Sequence, residues 1–252
     1  MSFKDKTLEV EKSDEGDVDE RSTLMHLADH IYRKIEPHIG NNELEVEVRL
    51  CSHQVPIMEL QQPYTILSKQ FGPQPGKIKV GVTKEGFEAI KNYLIATKTD
   101  TDHPPLMTTT EDVKVNNERY SYDLINSDTG PIRKLTSVII KQRILFVDVA
   151  INREDINYDF RFSINTESPV SIPATSPTKK MYSYTRFKKR ISIKDGLFLY
   201  DLTEIRTSSE DLSYEIEIEG CFERENPKED LTREWLVELM QRILSLAAIA
   251  SK

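Results

Sequence analysis

The sequence predicts an α+β protein in which at least seven strands form an antiparallel barrel or sandwich, with amphipathic helices at its periphery. Three observations carry that prediction. Apolar and polar residues alternate with a period of two through most of the central chain, as they do in strands with one buried face. The strands are separated by turn-forming pieces such as Asn126-Ser127-Asp128-Thr129-Gly130 and Lys194-Asp195-Gly196, which suit meander connections rather than crossover helices. Three further segments repeat their apolar residues at three- and four-residue steps, as amphipathic helices do.

In chain order, residues 1–20 hold 8 acidic residues and 3 lysines with almost no large apolar side chain. Such a stretch cannot bury enough surface to offset the entropy of ordering, so a disordered acidic tail is expected. From Ser22 to Ile39 the residues Leu24, Leu27, Ala28, Ile31, Tyr32 and Ile35 make one apolar stripe, with Ser22 or Thr23 as N-cap and Gly40 as terminator. A strand is expected at 43–50, a second helix from Thr83 to Ala96, and further strands at 118–124, 137–151, 158–164, 184–193, 197–207 and 214–220. The strongest helical stripe runs from Leu231 to Ile249, while the Pro/Ser/Thr-rich run Ser168–Thr178 has no periodicity and reads as a long surface loop. Residues 21–252 are expected to form one domain.

With 38% hydrophobic and 30% charged residues, the 252-residue chain has the composition of a soluble globular protein and no membrane-spanning stretch. Its net charge of -8 argues against a protein that coats nucleic acid through bulk positive charge. The charge is nevertheless sorted by region. Ile132–Lys194 holds 13 basic against 5 acidic residues, a balance of +8, so the rest of the chain carries -16. Cys51 and Cys221 lie far apart and no secretory signal peptide opens the chain, which favours a reducing, cytoplasmic or nuclear setting. His26 and His30 stand at i,i+4, but no third ligand type accompanies them, and they read as ordinary helix-face residues.

The alternation is chemically specific. In 43–50, Glu43, Glu45, Glu47 and Arg49 share one face opposite Leu44, Val46, Val48 and Leu50; in 214–220, Glu215, Glu217 and Glu219 share a face opposite Ile216 and Ile218. Successive carboxylates on one face stand about 6.6 Å apart and repel one another unless a cation lies near. The basic strands obey the same rule, with Arg186, Lys188 and Arg190 on one face, Arg161 and Ser163 on another, and Lys141 and Arg143 on a third. If the apolar faces pack on the helices, the charged faces line up on the other side, and closing the sheet puts them inside. An interior of carboxylates and Arg/Lys describes a site for a polyanion bridged by a divalent cation, such as a triphosphate.

Glu45-Val-Glu47-Val-Arg49, Arg186-Phe-Lys188-Lys-Arg190 and Glu215-Ile-Glu217-Ile-Glu219 resemble, in order and spacing, the signature strands of the triphosphate tunnel metalloenzymes. The likeness is closest to the fungal and large-DNA-virus RNA 5′-triphosphatases that begin mRNA cap synthesis. Lys141-Gln-Arg143 and Asp159-Phe-Arg161-Phe-Ser163-Ile look like that family's paired central strands, and Asp201-Leu-Thr203 like its penultimate strand; the resemblance spans about residues 43 to 220. Leu199 departs from the fungal pattern, which has a basic residue two positions before Asp201.

The resemblance implies a closed eight-stranded antiparallel barrel with a charged interior. It implies a hydrolase that removes the γ-phosphate of triphosphate-ended nascent mRNA, with Mg²⁺ or Mn²⁺ as cofactor and nucleoside triphosphates as side substrates. Glu45, Glu47 and Glu219 would hold the metal, with Glu217 acting through its water. Arg161, Arg186, Lys188 and Arg190, supported by Lys141 and Arg143, would grip the phosphates, with Lys188 and Arg190 also catalytic. Arg49 would do the same or hold a carboxylate; Glu215, Asp201 and Ser163 would support the site. Arg119 is a weaker candidate on the same logic, and Glu43 has no assigned role.

Other phosphate chemistries fail by inspection. Cys51 and Cys221 are followed at the sixth position by Ile57 and Pro227, not the arginine of a cysteine-phosphatase loop. Gly72-Pro-Gln-Pro-Gly76-Lys77 is one residue short of a P-loop, with Ile78 where a hydroxyl would hold magnesium. Two alternatives stay open at this point: another tunnel enzyme acting on tripolyphosphate or a nucleotide, and a non-catalytic module that binds polyphosphate ends. A monomer in the cytoplasm, nucleus, virion or viral factory is expected, with no membrane association and with a guanylyltransferase as partner in cis or in trans.

Overall fold

The computed structural model describes residues 20–52, 63–67, 79–99, 104–125, 130, 132–207, 211–222 and 227–252. The expected acidic tail therefore lies outside the described residues up to 19, as do His53, His103, the Pro/Gly segment at 72–77 and residues 126–129 of one expected turn.

The alternating segments become nine strands: β1 (Leu44–Ser52), β2 (Tyr64–Leu67), β3 (Leu106–Val115), β4 (Glu118–Ile125), β5 (Ile132–Ile151), β6 (Tyr158–Pro169), β7 (Tyr184–Asp195), β8 (Phe198–Thr207) and β9 (Leu212–Gly220). Their order is β2-β5-β4-β3-β7-β8-β9-β1-β6, and β6 also pairs with β5. That last pairing closes an eight-stranded antiparallel barrel, and β2 adds to the far end of β5 through pairs such as Tyr64 with Ile151. Closure leaves the ring no free edge.

Tight turns join β3 to β4 and β7 to β8. Val115 pairs with Glu118 across Asn116, whose φ is 54°, and Asp195 pairs with Phe198 across Gly196 at φ 61°. Both positions need the left-handed region that Asn and Gly tolerate.

Three long helices cover one side of the barrel: α1 (Glu20–Ile35), α2 (Lys84–Lys98) and α4 (Arg233–Ala250), the last preceded by the single turn α3 (Pro227–Asp230). Thr83 and Thr232 cap α2 and α4 by accepting hydrogen bonds from the backbone N–H of Gly86 and Trp235. Helix α1 stops four residues before the predicted Ile39, because Pro37 has no N–H to continue the helix and the chain tightens into a 3-10 turn at Glu36–His38.

The core lies between barrel and helices. Val46, Val48, Phe160, Phe162, Ile216 and Ile218 on the outer face of the strands pack with Leu24 and Ile31 of α1, Phe87 and Ile90 of α2, and Leu239, Met240 and Ile243 of α4. Each such aliphatic side chain contributes about 1.5–3 kcal/mol when fully buried. On the opposite side a smaller cluster of Val113, Val115, Tyr120, Tyr122 and Val138 is covered by Val170 and Tyr182 of the loop after β6. With the apolar faces outward, the charged faces point into the barrel.

Four strands differ from the sequence reading. β3 (LMTTTEDVKV) lacks the apolar alternation that marks the others and was not expected, nor was the short β2; β5 starts at Ile132 rather than 137, and β6 runs on to Pro169 rather than ending at 164. In β5 a register shift between Arg143 and Leu145 inserts one extra residue. The bulge reverses the alternation, so that Lys141 and Arg143 before it, and Phe146 and Asp148 after it, pair with one face of β6, opposite Glu167, Asn165, Ser163 and Arg161 in turn.

Candidate active site

The register of the barrel brings the acidic and basic strands into one site. Across β1 and β9, Glu47 stands opposite Glu219 and Arg49 opposite Glu217. Across β7 and β8, Arg190 stands opposite Thr203 and Lys188 opposite Ile205. Across β8 and β9, Leu199 stands opposite Glu219 and Asp201 opposite Glu217. Inside lies a cavity of about 250 Å³ lined by Glu45, Glu47 and Arg49 of β1, Glu215, Glu217 and Glu219 of β9, Arg186, Lys188 and Arg190 of β7, Lys141 of β5 and Arg119 of β4, together with Asp112 and Glu167.

The charges are interleaved in space. Arg49 donates to Glu47 at 2.7 Å and lies 2.9 Å from Glu217 and 3.8 Å from Glu215. Arg190 reaches Asp201 at 2.6 Å and Glu217 at 3.3 Å and donates to the Thr203 hydroxyl at 3.1 Å. Lys188 pairs with Asp112 at 2.5 Å. Lys141 contacts Glu45 and lies 3.2 Å from Glu167 and 3.9 Å from Glu47, while Arg119 reaches Glu167 at 3.1 Å. Arg186 makes no ion pair among the described residues, and its buried Nε has no hydrogen-bond partner.

Burial and crowding shift the titration of these groups. Burial, then Glu47, pushes Glu45 up to about 7 against the pull of Lys141. Burial, then Glu45, Glu217, Asp201 and Glu47, pushes Glu219 up to about 8. For Glu217 burial acts upward too, but Arg49 and Arg190 outweigh it and hold the carboxyl below its ordinary value. Burial draws Lys188 down despite Asp112, whereas Lys141 is raised because Glu47, Glu45 and Glu167 overcome its burial. Glu45 and Glu219 are thus the carboxylates least compensated by protein cations.

Most residues singled out from the sequence meet at the cavity: Glu45, Glu47, Arg49, Lys141, Arg186, Lys188, Arg190, Glu215, Glu217 and Glu219 line it. Asp201 is buried just behind, held by Arg190 and by the Ser192 hydroxyl at 2.5 Å. Arg161, Arg143 and Ser163 do not line it. Arg161 makes a two-pronged bond to Asp148 at 2.5 and 3.0 Å, and both Arg161 and Arg143 lie over the Phe146 ring, 5.1 and 5.0 Å from its centre. Ser163 is buried opposite Glu47. Glu43 accepts from the Ser168 hydroxyl at 2.5 Å and ties β1 to β6 outside the cavity. Sequence reasoning missed Asp112, Glu167, Thr108, Thr110 and Ser121. The signal available for Asp112 was the polar run Thr108-Thr-Thr110-Glu-Asp112, and for Glu167 its even spacing from Ser163 and Asn165.

The donor set fits a hard divalent cation. Oxygens of Asp201, Glu217 and Glu219 lie within 4.8 Å of one another, and Glu47 faces Glu219 across the strand pair. No basic side chain pairs with Glu219 among the described residues, and Leu199 stands opposite it. An all-carboxylate cluster whose own burial disfavours its charge gains from a hard cation with oxygen preference.

A family model described as mRNA capping enzyme, beta chain, matches residues 65–234. Among solved structures, the chain is similar to the S. pombe Pct1 RNA triphosphatase in complex with the Spt5 CTD, with TM-score 0.66 and 18% identity over 90% of this chain and 93% of that one. It is also similar to the mimivirus capping enzyme triphosphatase, with TM-score 0.54 and 13% identity over 90% of this chain and 98% of that one. At these identities the structural likeness is one of fold. Curated protein sequences contain no match.

Proposed function

From the premise that the chain belongs to the family of the mRNA capping enzyme, beta chain, we infer that the tunnel is the catalytic centre of a metal-dependent RNA 5′-triphosphatase. The reaction is hydrolysis. Water attacks the γ-phosphorus of a triphosphate-ended RNA, the bond from that phosphorus to the β–γ bridging oxygen breaks, and orthophosphate leaves a diphosphate end, the first step of mRNA capping. One observation carries the reading: carboxylates of β1 and β9 and cations of β7 line the same enclosed cavity.

Within that reading, Glu45, Glu47 and Glu219 hold Mg²⁺ or Mn²⁺, and Asp201 lies close enough to Glu219 to share the load. When bound, the cation supplies charge neutralisation on the phosphoryl oxygens and activation of the attacking water. Arg186 supplies the first grip on the phosphates, because no carboxylate competes for it. Lys188 and Arg190 turn from Asp112 and Asp201 towards the β- and γ-phosphates and neutralise charge that develops in the transition state. Glu217 orients the attacking water while Arg49 keeps it ionised. Arg49 and Glu215 serve as the clamp that holds β1 to β9, and Arg161 stiffens the barrel through Asp148 instead of touching phosphate.

The walls recognise the triphosphate rather than bases, so free nucleoside triphosphates are side substrates. The same reading takes residues 21–252 as one catalytic domain, a monomer, acting in the cytoplasm, the nucleus, the virion or a viral factory beside a guanylyltransferase in cis or in trans. No described helix is long and apolar enough to cross a membrane.

The test is phosphate release from γ-labelled triphosphate-ended RNA with and without Mg²⁺ or Mn²⁺, for the wild type, Glu47→Ala and Glu219→Ala. Metal-dependent release of the γ-phosphate alone, lost in both variants, is expected. Binding of the RNA end without release under any metal would replace the hydrolase with a binding module.

A further inference from the structure

The barrel carries a second concavity on its outer surface. About 380 Å³ in volume, it lies between the loop after β6 and the start of β7, bounded by Glu111, Lys179, Tyr182, Tyr184, Thr185 and Phe187. Tyr184 is 38% exposed and Phe187 41%, on the side of the barrel that the helices leave uncovered. The floor is fixed: Arg133 pairs with Glu111 at 2.6 Å, donates to the Tyr182 hydroxyl at 3.1 Å and lies 3.4 Å from the centre of the Tyr122 ring. Glu111, the one acidic residue lining the groove among the described residues, is thereby neutralised by a neighbour.

The groove adjoins the tunnel. Tyr184 and Arg186 are two residues apart on one face of β7, and the Arg186 guanidinium lies 4.9 Å from the centre of the Tyr184 ring. Arg186 lines the tunnel and Tyr184 lines the groove. Around it lie exposed basic residues: Lys179 and Lys180 on the loop side, Lys114 opposite Tyr184, and Arg206 opposite Phe187. Lys179 and Lys180 belong to the segment whose balance is +8 in a chain of -8.

We propose that this groove is the track for the first nucleotides of the RNA body, with bases stacked on Tyr184 and Phe187 and their phosphates held by Lys179, Lys180 and Lys114. The assignment rests on the reading of the tunnel as the site of an RNA triphosphate end. Exposed aromatic rings interleaved with lysines suit single-stranded RNA, because every base has a face to stack and every linkage a charge to neutralise. A phosphate chain leaving the tunnel past Arg186 meets Tyr184 next, so the two sites form one continuous path. A polypeptide is the other conceivable occupant, but the local positive charge favours the polyanion already anchored next door.

The test compares a nucleoside triphosphate, an RNA of one nucleotide, with a triphosphate-ended RNA of ten, using the full chain. Phe187→Ala and Lys179→Ala/Lys180→Ala lie outside the tunnel and are expected to leave kcat and the single-nucleotide KM unchanged. For the ten-nucleotide RNA, Phe187→Ala should raise KM about tenfold, Phe187→Trp should restore it, and the double lysine variant should reduce the slope of log Kd against log salt by about 1. Binding of a ten-nucleotide RNA with a 5′-hydroxyl end, followed by fluorescence anisotropy, reads the groove without catalysis. If the wild type hydrolyses neither RNA, the triphosphatase reading fails, and loss of this binding in Phe187→Ala still supports the track. Equal KM values for the two lengths, or RNA parameters unchanged in every variant, would overturn the track and leave the groove to a protein partner.

Discussion

Replacing Arg49 by methionine isolates the electrostatic clamp at the centre of the tunnel. The guanidinium lies 2.7 Å from Glu47 and 2.9 Å from Glu217, with Glu215 at 3.8 Å, and its side chain is 22% exposed. At an effective dielectric of 20, each of the two short contacts is worth roughly 6 kcal/mol before desolvation. Desolvation of the arginine and the retained packing of methionine offset much of this, and removal of one partner from a buried ion pair costs about 3–5 kcal/mol. That is a large share of the ~5–15 kcal/mol that holds a domain folded.

The assay is urea denaturation at pH 7.5 with a chelator present, then with Mn²⁺. We expect Arg49→Met to lose about 3–5 kcal/mol and to regain part of it in Mn²⁺, about 2.7 kcal/mol at a hundredfold excess over Kd. The pH dependence follows from the same geometry. In the wild type, Glu217 is held below its ordinary value chiefly by Arg49 and Arg190 against burial. Without Arg49 that depression is relieved, the folded variant takes up a proton more readily than the folded wild type, and the variant's deficit relative to the wild type should shrink as pH is lowered. A loss under about 1 kcal/mol, with no response to pH or metal, would refute the clamp.

Metal-free wild-type protein should lose stability between pH 5 and 8. Glu45 and Glu219 are raised to about 7 and about 8, chiefly by burial, so each contributes a slope of about 1.4 kcal/mol per pH unit while the folded form alone is protonated; saturating Mn²⁺ should flatten the curve, and a flat curve without metal would contradict the crowding. Cys51 is buried and its thiol is pushed up to about 12 by that burial, whereas Cys221 is partly exposed and both are free; a disulfide reagent at pH 8 should titrate one thiol in the native protein and two in denaturant. Ile243→Ala, in the fully buried face of α4, should cost about 2–5 kcal/mol with KM unchanged, as followed by thermal melting and phosphate release. Gly81→Ala places a Cβ 2.8 Å from the Tyr214 carbonyl at φ 125°; a loss of about 1–3 kcal/mol is expected, and a neutral result would show that the bridge to β9 gives way easily.

Which residues could share a face was legible before any tertiary contact was known. Strand alternation and the 3.6-residue stripe are set by backbone geometry and survive any tertiary arrangement, so Glu45 and Glu47, Glu215 to Glu219 and Arg186 to Arg190 were legible as charged faces, and α2 and α4 as helices. What stands across from each face depended on how the strands paired. β3 escaped notice because no helix covers it and its only buried apolar residues are Val113 and Val115 at its end, under the loop after β6, so its first half carries no apolar row, and with it went Asp112, the partner of Lys188. The β5 bulge turned Asp148 towards Arg161 and drew that arginine away from the cavity. Arg49 became a clamp on three carboxylates because β9 pairs with β1 in one register, through contacts between residues almost 170 positions apart. Alternation says which way a side chain points; closure, register and bulges, which depend on pairings across the whole chain, say what it meets.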